Sequence, residues 1–224
     1  MISQLLRNHK STLVLDGTIP KQNLLKKICG SKKIICTDGS YSKVIKLGIK
    51  VNYVSGDFDS IGSGSIGHDV KINRDEDQYS TDFEKTIALI RSESLGPAII
   101  TGFSGGEIDH IMGNIQILVK FFDSKNKHEF CFIDQDNKGN VKIGIVVDDY
   151  FRTSHRAGSI VSLTPFPEAI VSSEGLKYPM HKMSLKQTSG LLAIRNETSD
   201  NNAFAITIHS GRVLLIADIS YLFD

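Results

Sequence analysis

Several things are scarce in this 224-residue sequence, and each scarcity removes a class of protein. There are three cysteines, Cys29, Cys36 and Cys131, and they lack zinc-ligand spacing. So sparse and odd a set excludes a disulfide-stapled scaffold and predicts a reducing compartment, with the thiols serving as small buried hydrophobes. No apolar run approaches the roughly 18 residues that a membrane-spanning helix needs. In MISQLLRNHKS, Arg7 arrives too early for the apolar core of a secretory signal, so a soluble cytoplasmic protein is the expectation. The formal net charge is only +1 and there is no long basic block. No nucleic-acid partner and no membrane surface is therefore expected. The short clusters Lys32-Lys33 and Lys125, Lys127, His128 read as solvated turns. H-E-x-x-H, a G-x-S-x-G elbow and a cysteine in a nucleophile setting are all missing, which sets aside the corresponding hydrolases.

The sequence does have a hydrophobic content of 40%, enough for one large domain or two small ones. The first half alternates strand-like and helix-like segments, the pattern of βα units around a parallel sheet. Strands are expected at 12–17, 33–39, 51–57, 98–103 and 129–134, each apolar run stopping in polar or Gly residues. Such carboxyl ends are where α/β proteins place ligands. Phe83, Ile87 and Ile90 follow Thr81 at helical spacing, with Thr81 and Glu84 in capping-box register. A second helix is expected from about Asp109. Its stripe of Ile108, Ile111, Met112, Ile115, Leu118, Val119 and Phe122 is expected to face the core.

Past about residue 140 the texture changes to strand-like runs, 141–147, 159–166, 191–196, 203–211 and 213–219, with no helical period between them. Thr164-Pro165-Phe166-Pro167, Ser199 to Asn202 and Ser210-Gly211 supply turn chemistry. The expected fold is thus an N-terminal Rossmann-like parallel-sheet α/β domain, 1–140, followed by an all-β domain, 141–224, a small sandwich or barrel, with the boundary falling near 138–150.

Carboxylates gather where the strands of the first half end. Asp57 and Asp59 lie two residues apart after Gly56, so both side chains share one face if extended geometry continues. Like charges that close repel, and a hard cation such as Mg²⁺ would relieve them. A solvated Asx-turn is the other reading. Asp82 opens a helix, where the dipole favours a carboxylate; it either serves only that purpose or completes a metal site with Asp57 and Asp59. Lys85, one turn on, is either exposed or reaches a phosphate. Ser104-Gly105-Gly106 is a strand-to-helix turn that either cradles phosphate or simply connects, and Asp38-Gly39-Ser40 is a similar turn on the same edge. Gly62, Gly64 and Gly67 spell G-x-G-x-x-G, but no helix pattern follows, so they read as a flexible loop. The EF-hand likeness of Asp57 to Gly62 fails at Ile61 and His68.

Taken together, these clusters resemble the thiamine pyrophosphokinase family. The residues that carry the resemblance are Asp38-Gly39, then Gly56-Asp57-Phe58-Asp59-Ser60, then Asp77-Gln78 through Thr81-Asp82 to Lys85, then Gly105-Gly106-Glu107-Ile108-Asp109-His110 with Asn114. The resemblance continues through Ser159 to Pro165, Gly175 to Met180 and the Asn196 region, covering nearly the whole chain. It implies pyrophosphoryl transfer from ATP to the hydroxyl of thiamine, giving thiamine diphosphate and AMP, in a homodimer whose sites are shared between subunits. On that reading Asp57, Asp59 and Asp82 hold Mg²⁺ on the ATP phosphates. Asp38, Gly39, Ser40, Thr81, Lys85, Gly105, Gly106 and Asp109 hold the nucleotide, and Gln78, Tyr178 and Asn196 orient thiamine.

Departures from the family pattern fall at four places, the mildest being Thr37-Asp38-Gly39-Ser40 in place of Ala-Asp-Gly-Gly. Glu107 stands where the family has Arg, Tyr178 where it has Trp, and Arg195 where it has Ser. Glu107 should weaken nucleotide binding or alter its geometry, and it leaves open a non-catalytic nucleotide- or thiamine-binding protein. A nucleotide-sugar transferase shares the Asp-x-Asp and the divalent metal but leaves the Thr81 and Gly105 clusters unexplained.

Overall fold

The apolar runs of the first half become short strands: β1 (Ser11–Val14), β2 (Lys33–Thr37), β3 (Tyr53–Gly56), β4 (Lys71–Arg74), β5 (Ala98–Thr101) and β6 (Phe130–Gln135). This is a computed structural model describing residues 1–58, 66–199 and 203–223. Asp59, Gly62 and Gly64 of the sequence reading lie outside those residues. The chain divides into two compact units, one of Asn8–Lys120 with Phe132–Gln135 and one of Met1–Arg7, Phe121–Cys131 and Asp136–Asp224.

In the first unit the strand order is β4-β3-β2-β1-β5-β6, with β1 parallel to β2 and β5, and β3 parallel to β2 and β4. Every residue of β1, β3 and β5 is buried. Burial on both faces is why these strands read as unbroken apolar runs rather than as alternations. The exposed edge strand β4, Lys-Ile-Asn-Arg, has no apolar run to announce it. Polar, positively charged edges discourage pairing with other chains. The helices are α2 (Gln22–Cys29), α3 (Asp38–Lys46), α4 (Asp82–Ser92) and α5 (Ile108–Lys120); α1 (Ile2–Asn8) begins the chain.

Helix α4 starts as its sequence dictates. The Glu84 N–H donates to Thr81 Oγ1 at 3.2 Å, and the Thr81 N–H donates to Glu84 Oε2 at 3.1 Å. Two of the helix's orphan donors are thereby satisfied. Phe83, Ile87 and Ile90 form its buried face. Helix α5 departs from expectation. Ile108 is 75% exposed and Met112 61% exposed, while Ile117 and Leu118 are buried. Only the second half of α5 packs into the core, so the expected core-facing stripe fails in its first turns.

The second unit is antiparallel: β7 (Val141–Val147), β8 (Tyr150–Ser154), β9 (Ile160–Glu174), β10 (Met183–Lys186), β11 (Ala193–Glu197) and β12 (Ala203–Asp218). Its order is β10-β9-β12-β7, with β11 on β9 and β8 on β12. The turns expected at Thr164–Pro167 and Ser210-Gly211 do not occur. Both stretches lie inside long strands, and β12 absorbs the irregularity as register shifts against β9 at Ile208/Ser210 and Gly211/Val213. Extra residues in a ladder bend a strand without ending it. The three cysteines are buried free thiols, as expected. Burial pushes the Cys29 thiol up to about 11 and those of Cys36 and Cys131 up to about 12. No helix among the described residues is long and apolar enough to cross a membrane.

Candidate active site

Three helices start at the carboxyl edge of the parallel sheet, and each carries a carboxylate in its first turn: Asp38 on α3, Asp82 on α4 and Asp109 on α5. Their N-termini meet at a cavity of about 450 Å³ whose walls include Asp16, Asp38, Gly39, Thr81, Asp82, Gly105, Gly106, Glu107, Asp109 and Asn114. Helix N-termini present unpaired N–H groups and partial positive charge, so the cavity combines anion-binding backbone with acidic side chains.

Asp38 is buried, and its carboxylate is gripped by backbone. It accepts from the Gly39 N–H at 2.6 Å and from the Phe58 N–H at 3.1 Å. Phe58 reaches it through a left-handed conformation, φ 69°. Gly56 explains the Gly of the Gly-Asp-Phe run. A Cβ there would lie 2.8 Å from Asp38 Cγ, inside any real contact. Asp38 therefore packs against the end of β3 and orients the chain that carries Asp57. That role was not legible from an Asp-Gly turn, for which the expectation was a contact with the nucleotide.

Asp82 feels this crowding. Its carboxyl is pushed up to about 6, first by burial, then by the charge of Asp38, with Asp57 adding to it. Lys85 opposes the shift from 3.7 Å. Asp38, Asp57 and Asp82 are thus electrostatic neighbours although far apart in sequence. Among the described residues no three His, Cys, Asp or Glu side chains are close enough to ligate one ion alone. Mg²⁺ usually takes one or two carboxylates and keeps its other positions for water and substrate phosphates. The donors are hard oxygens carrying more negative charge than Lys85 neutralises, so the residues present suit that ion.

Other expected site residues are placed differently. The Ser40 hydroxyl is buried and donates to the Val14 carbonyl at 2.7 Å, away from the cavity wall. Lys85 has a side chain only 3% exposed, and its Nζ donates to the Asp75 carbonyl at 2.9 Å. It supports Asp82 and the segment before α4. Gln78 is exposed, its amide 3.5 Å from the Glu76 carbonyl. In the second unit, Asn196 and Tyr178 are partners. Asn196 Oδ1 accepts from the Tyr178 N–H at 3.1 Å, and its Nδ2 donates to the Tyr178 carbonyl at 2.7 Å. Asn196 is buried and fastens the loop; the Tyr178 ring is exposed, with Lys177 Nζ 5.7 Å from its centroid. Arg195 takes φ 60° at a bulge in β11, so it does not share Asn196's direction.

Two features escaped the sequence reading. Phe103 is buried under the β5–α5 turn, stacked on Phe132 at 4.3 Å and edge-on to Phe83. Asp134, at the end of β6, is buried and receives three hydrogen bonds from the same turn. Burial pushes its carboxyl up, and those donors oppose the shift.

Acidic groups and helix N-termini around a glycine-walled cavity at the carboxyl edge of a parallel sheet mark an α/β enzyme that transfers a phosphate-containing group. Comparison with known proteins makes the class specific. Residues 24–132 match the family model described as the catalytic domain of thiamin pyrophosphokinase. Thiamin pyrophosphokinase 1 of Caenorhabditis elegans is 26% identical over 189 residues, covering 78% of this chain and 74% of that protein. The fold is shared with the thiamin pyrophosphokinase of Candida albicans, at TM-score 0.77 and 19% identity, over 96% of this chain and 90% of that one. A probable thiamine pyrophosphokinase from Staphylococcus saprophyticus matches at TM-score 0.69 and 24% identity, over 92% and 97% of the two chains. Over residues 24–132 the chain thus matches the catalytic domain of the thiamin pyrophosphokinase family, and it shares the fold of that family's solved members.

Proposed function

We propose that this protein is a Mg²⁺-dependent thiamine diphosphokinase that uses ATP. The hydroxyethyl oxygen of thiamine attacks the β-phosphorus of ATP, and the bond from that phosphorus to the α–β bridging oxygen breaks. AMP leaves, thiamine diphosphate forms, and the hydroxyl proton passes to a site carboxylate or to water. The observation that carries this reading is the electrostatic convergence of Asp38, Asp57 and Asp82 beside a cavity that Asp38 and Asp82 line, on a chain whose residues 24–132 match this family's catalytic domain.

In-line transfer of this kind needs positioning and charge neutralisation more than covalent catalysis. Asp57 and Asp82, with Asp59, would hold Mg²⁺, which when bound neutralises charge on the phosphates. The N-termini of α3 and α5, with Gly39, Gly105 and Gly106, line the space for the phosphates. Thr81 fixes the start of α4 and so the position of Asp82. Asp109 would meet the nucleotide at the far rim. Tyr178 would stack on thiamine, Asn196 would hold Tyr178 in place, and Gln78 would contact the substrate.

The functional division is a nucleotide-binding catalytic domain, 1–140, and a β-sandwich domain, 141–224, for thiamine binding and dimerisation. The working form is a cytoplasmic homodimer in which a second copy supplies Tyr178 to each site. The test is incubation of the purified protein with ATP, Mg²⁺ and thiamine. Thiamine diphosphate and AMP are expected in equal amounts. Binding of ATP and thiamine without AMP release would overturn the catalytic reading, and ADP as co-product would overturn the pyrophosphoryl step.

A further inference from the structure

We propose that Asp134 is a positioning residue for nucleotide binding: from β6 it fixes the β5–α5 turn, so that Gly105 and Gly106 present their backbone to the phosphates. The proposal rests on the reading of the cavity as a nucleotide site.

The geometry is specific. Asp134 Oδ1 accepts from the Gly102 N–H at 2.8 Å and the Thr101 hydroxyl at 3.3 Å, while Oδ2 accepts from the Ser104 N–H at 2.6 Å. Both oxygens are therefore committed to one four-residue stretch, and Asp134 itself is only 3% exposed. Bonds from neutral donors to a buried carboxylate are shorter and stronger than neutral pairs. The carbonyls of the same stretch face the other way. Gly102 O accepts from the Gly17 N–H at 3.0 Å, and Ser104 O accepts from the Thr18 N–H at 2.7 Å. The turn is thus fastened on one side to Asp134 and on the other to the chain leaving β1, which carries Asp16 and Gly17 into the cavity wall.

Gly105 follows directly, at φ 81°, with Thr18 Oγ1 only 1.9 Å from where a Cβ would be. No side chain fits there, so the turn has one tolerated path. Asp134 satisfies donors that would otherwise be buried and unpaired as that path is taken. Asp134 does not line the cavity, so its influence on substrate must pass through the turn.

Asp134→Asn tests this. The amide replaces one acceptor oxygen with a donor, so a backbone or hydroxyl donor of the turn loses its acceptor and faces an N–H. Expected is a KM for ATP raised about tenfold, with the KM for thiamine and the kcat at saturating ATP within about twofold of wild type. Calorimetric binding of a non-hydrolysable ATP analogue should weaken in step. Thr101→Val removes one donor while keeping the side-chain volume, and it should raise the KM for ATP about two- to threefold. It carries the test alone should Asp134→Asn fail to fold. An unchanged KM for ATP in the folded variants overturns the inference. So does an equal fall in all kinetic parameters, the signature of a merely structural role. Failure of the wild-type protein to bind the analogue would overturn the nucleotide reading and this inference with it; normal wild-type binding with an unaffected variant sinks this inference alone.

Discussion

Replacing Asp82 by Asn should make the metal-free protein more stable while it destroys activity. The Asp82 carboxyl has an ordinary value of 3.8 and is held at about 6 in the folded chain by burial and by the charges of Asp38 and Asp57. The folded state therefore binds this proton more tightly than the unfolded chain does. The associated stability is fully present below about pH 4 and is lost as pH rises through about pH 6. A shift of roughly two units corresponds to about 3 kcal/mol before screening. The Asp82 side chain is 35% exposed, so solvent and salt reduce this to about 1 kcal/mol. Asn cannot ionise, and it removes that cost. Lys85 loses an ionic partner, but its attraction already opposes the shift and is outweighed by burial, Asp38 and Asp57. For a chain of this size about 1 kcal/mol is a rise in Tm of about 2–4 °C. The assay is thermal unfolding in EDTA at about pH 8 and again at about pH 3, where the two proteins should converge because the wild-type carboxyl is protonated in both the folded and the unfolded chain. Adding Mg²⁺ should raise the Tm of the wild type more than that of the variant. A variant less stable than wild type at about pH 8 in EDTA, or a difference independent of pH, would refute the reasoning.

Other expectations follow from single positions. Glu107→Arg removes a carboxylate from the cavity wall and supplies a phosphate partner, so the KM for ATP should fall about three- to tenfold; steady-state kinetics that show no gain would remove Glu107 from the nucleotide's reach. Tyr178→Ala should raise the KM for thiamine about tenfold by loss of stacking and cation–π attraction, whereas Tyr178→Trp should match or improve on wild type; equal affinities across all three would take the ring out of the substrate site. Arg195→Gly relieves a left-handed backbone at φ 60° and should raise the unfolding free energy by about 1 kcal/mol in a urea titration, with a loss counting against strain at the bulge.

Much of the first unit was legible because its strands are buried on both faces. Leu13, Ile35, Val54 and Ile100 sit in apolar runs that periodicity exposes directly. The start of α4 was legible for a different reason: Thr81 and Glu84 encode a local hydrogen-bond pair that needs no tertiary partner. Features made by distant contacts were not legible. β4 is polar because it is an edge, and the first turns of α5 keep Ile108 and Met112 in solvent, against the stripe's pattern. The long strands β9 and β12 carry Pro and Gly that read as turns, because a bulge and a turn use the same residues. The candidate site divides in the same way. Asp82 and the Gly105-Gly106 turn follow from motif and spacing, but the grip on Asp38 by Gly39 and Phe58 depends on β3 lying beside β2. Asp134 belongs to none of the motifs read from the sequence and acquires its partners only when β6 is in place.

The carboxylate rim is tested most directly by turnover of Asp57→Asn across a Mg²⁺ titration, beside the wild type and a circular dichroism spectrum of each. Wild-type activity should vanish in EDTA and return with Mg²⁺, while the variant, folded alike, should stay at least about a hundredfold slower at every Mg²⁺ concentration. Near-normal formation of thiamine diphosphate by Asp57→Asn would contradict the account.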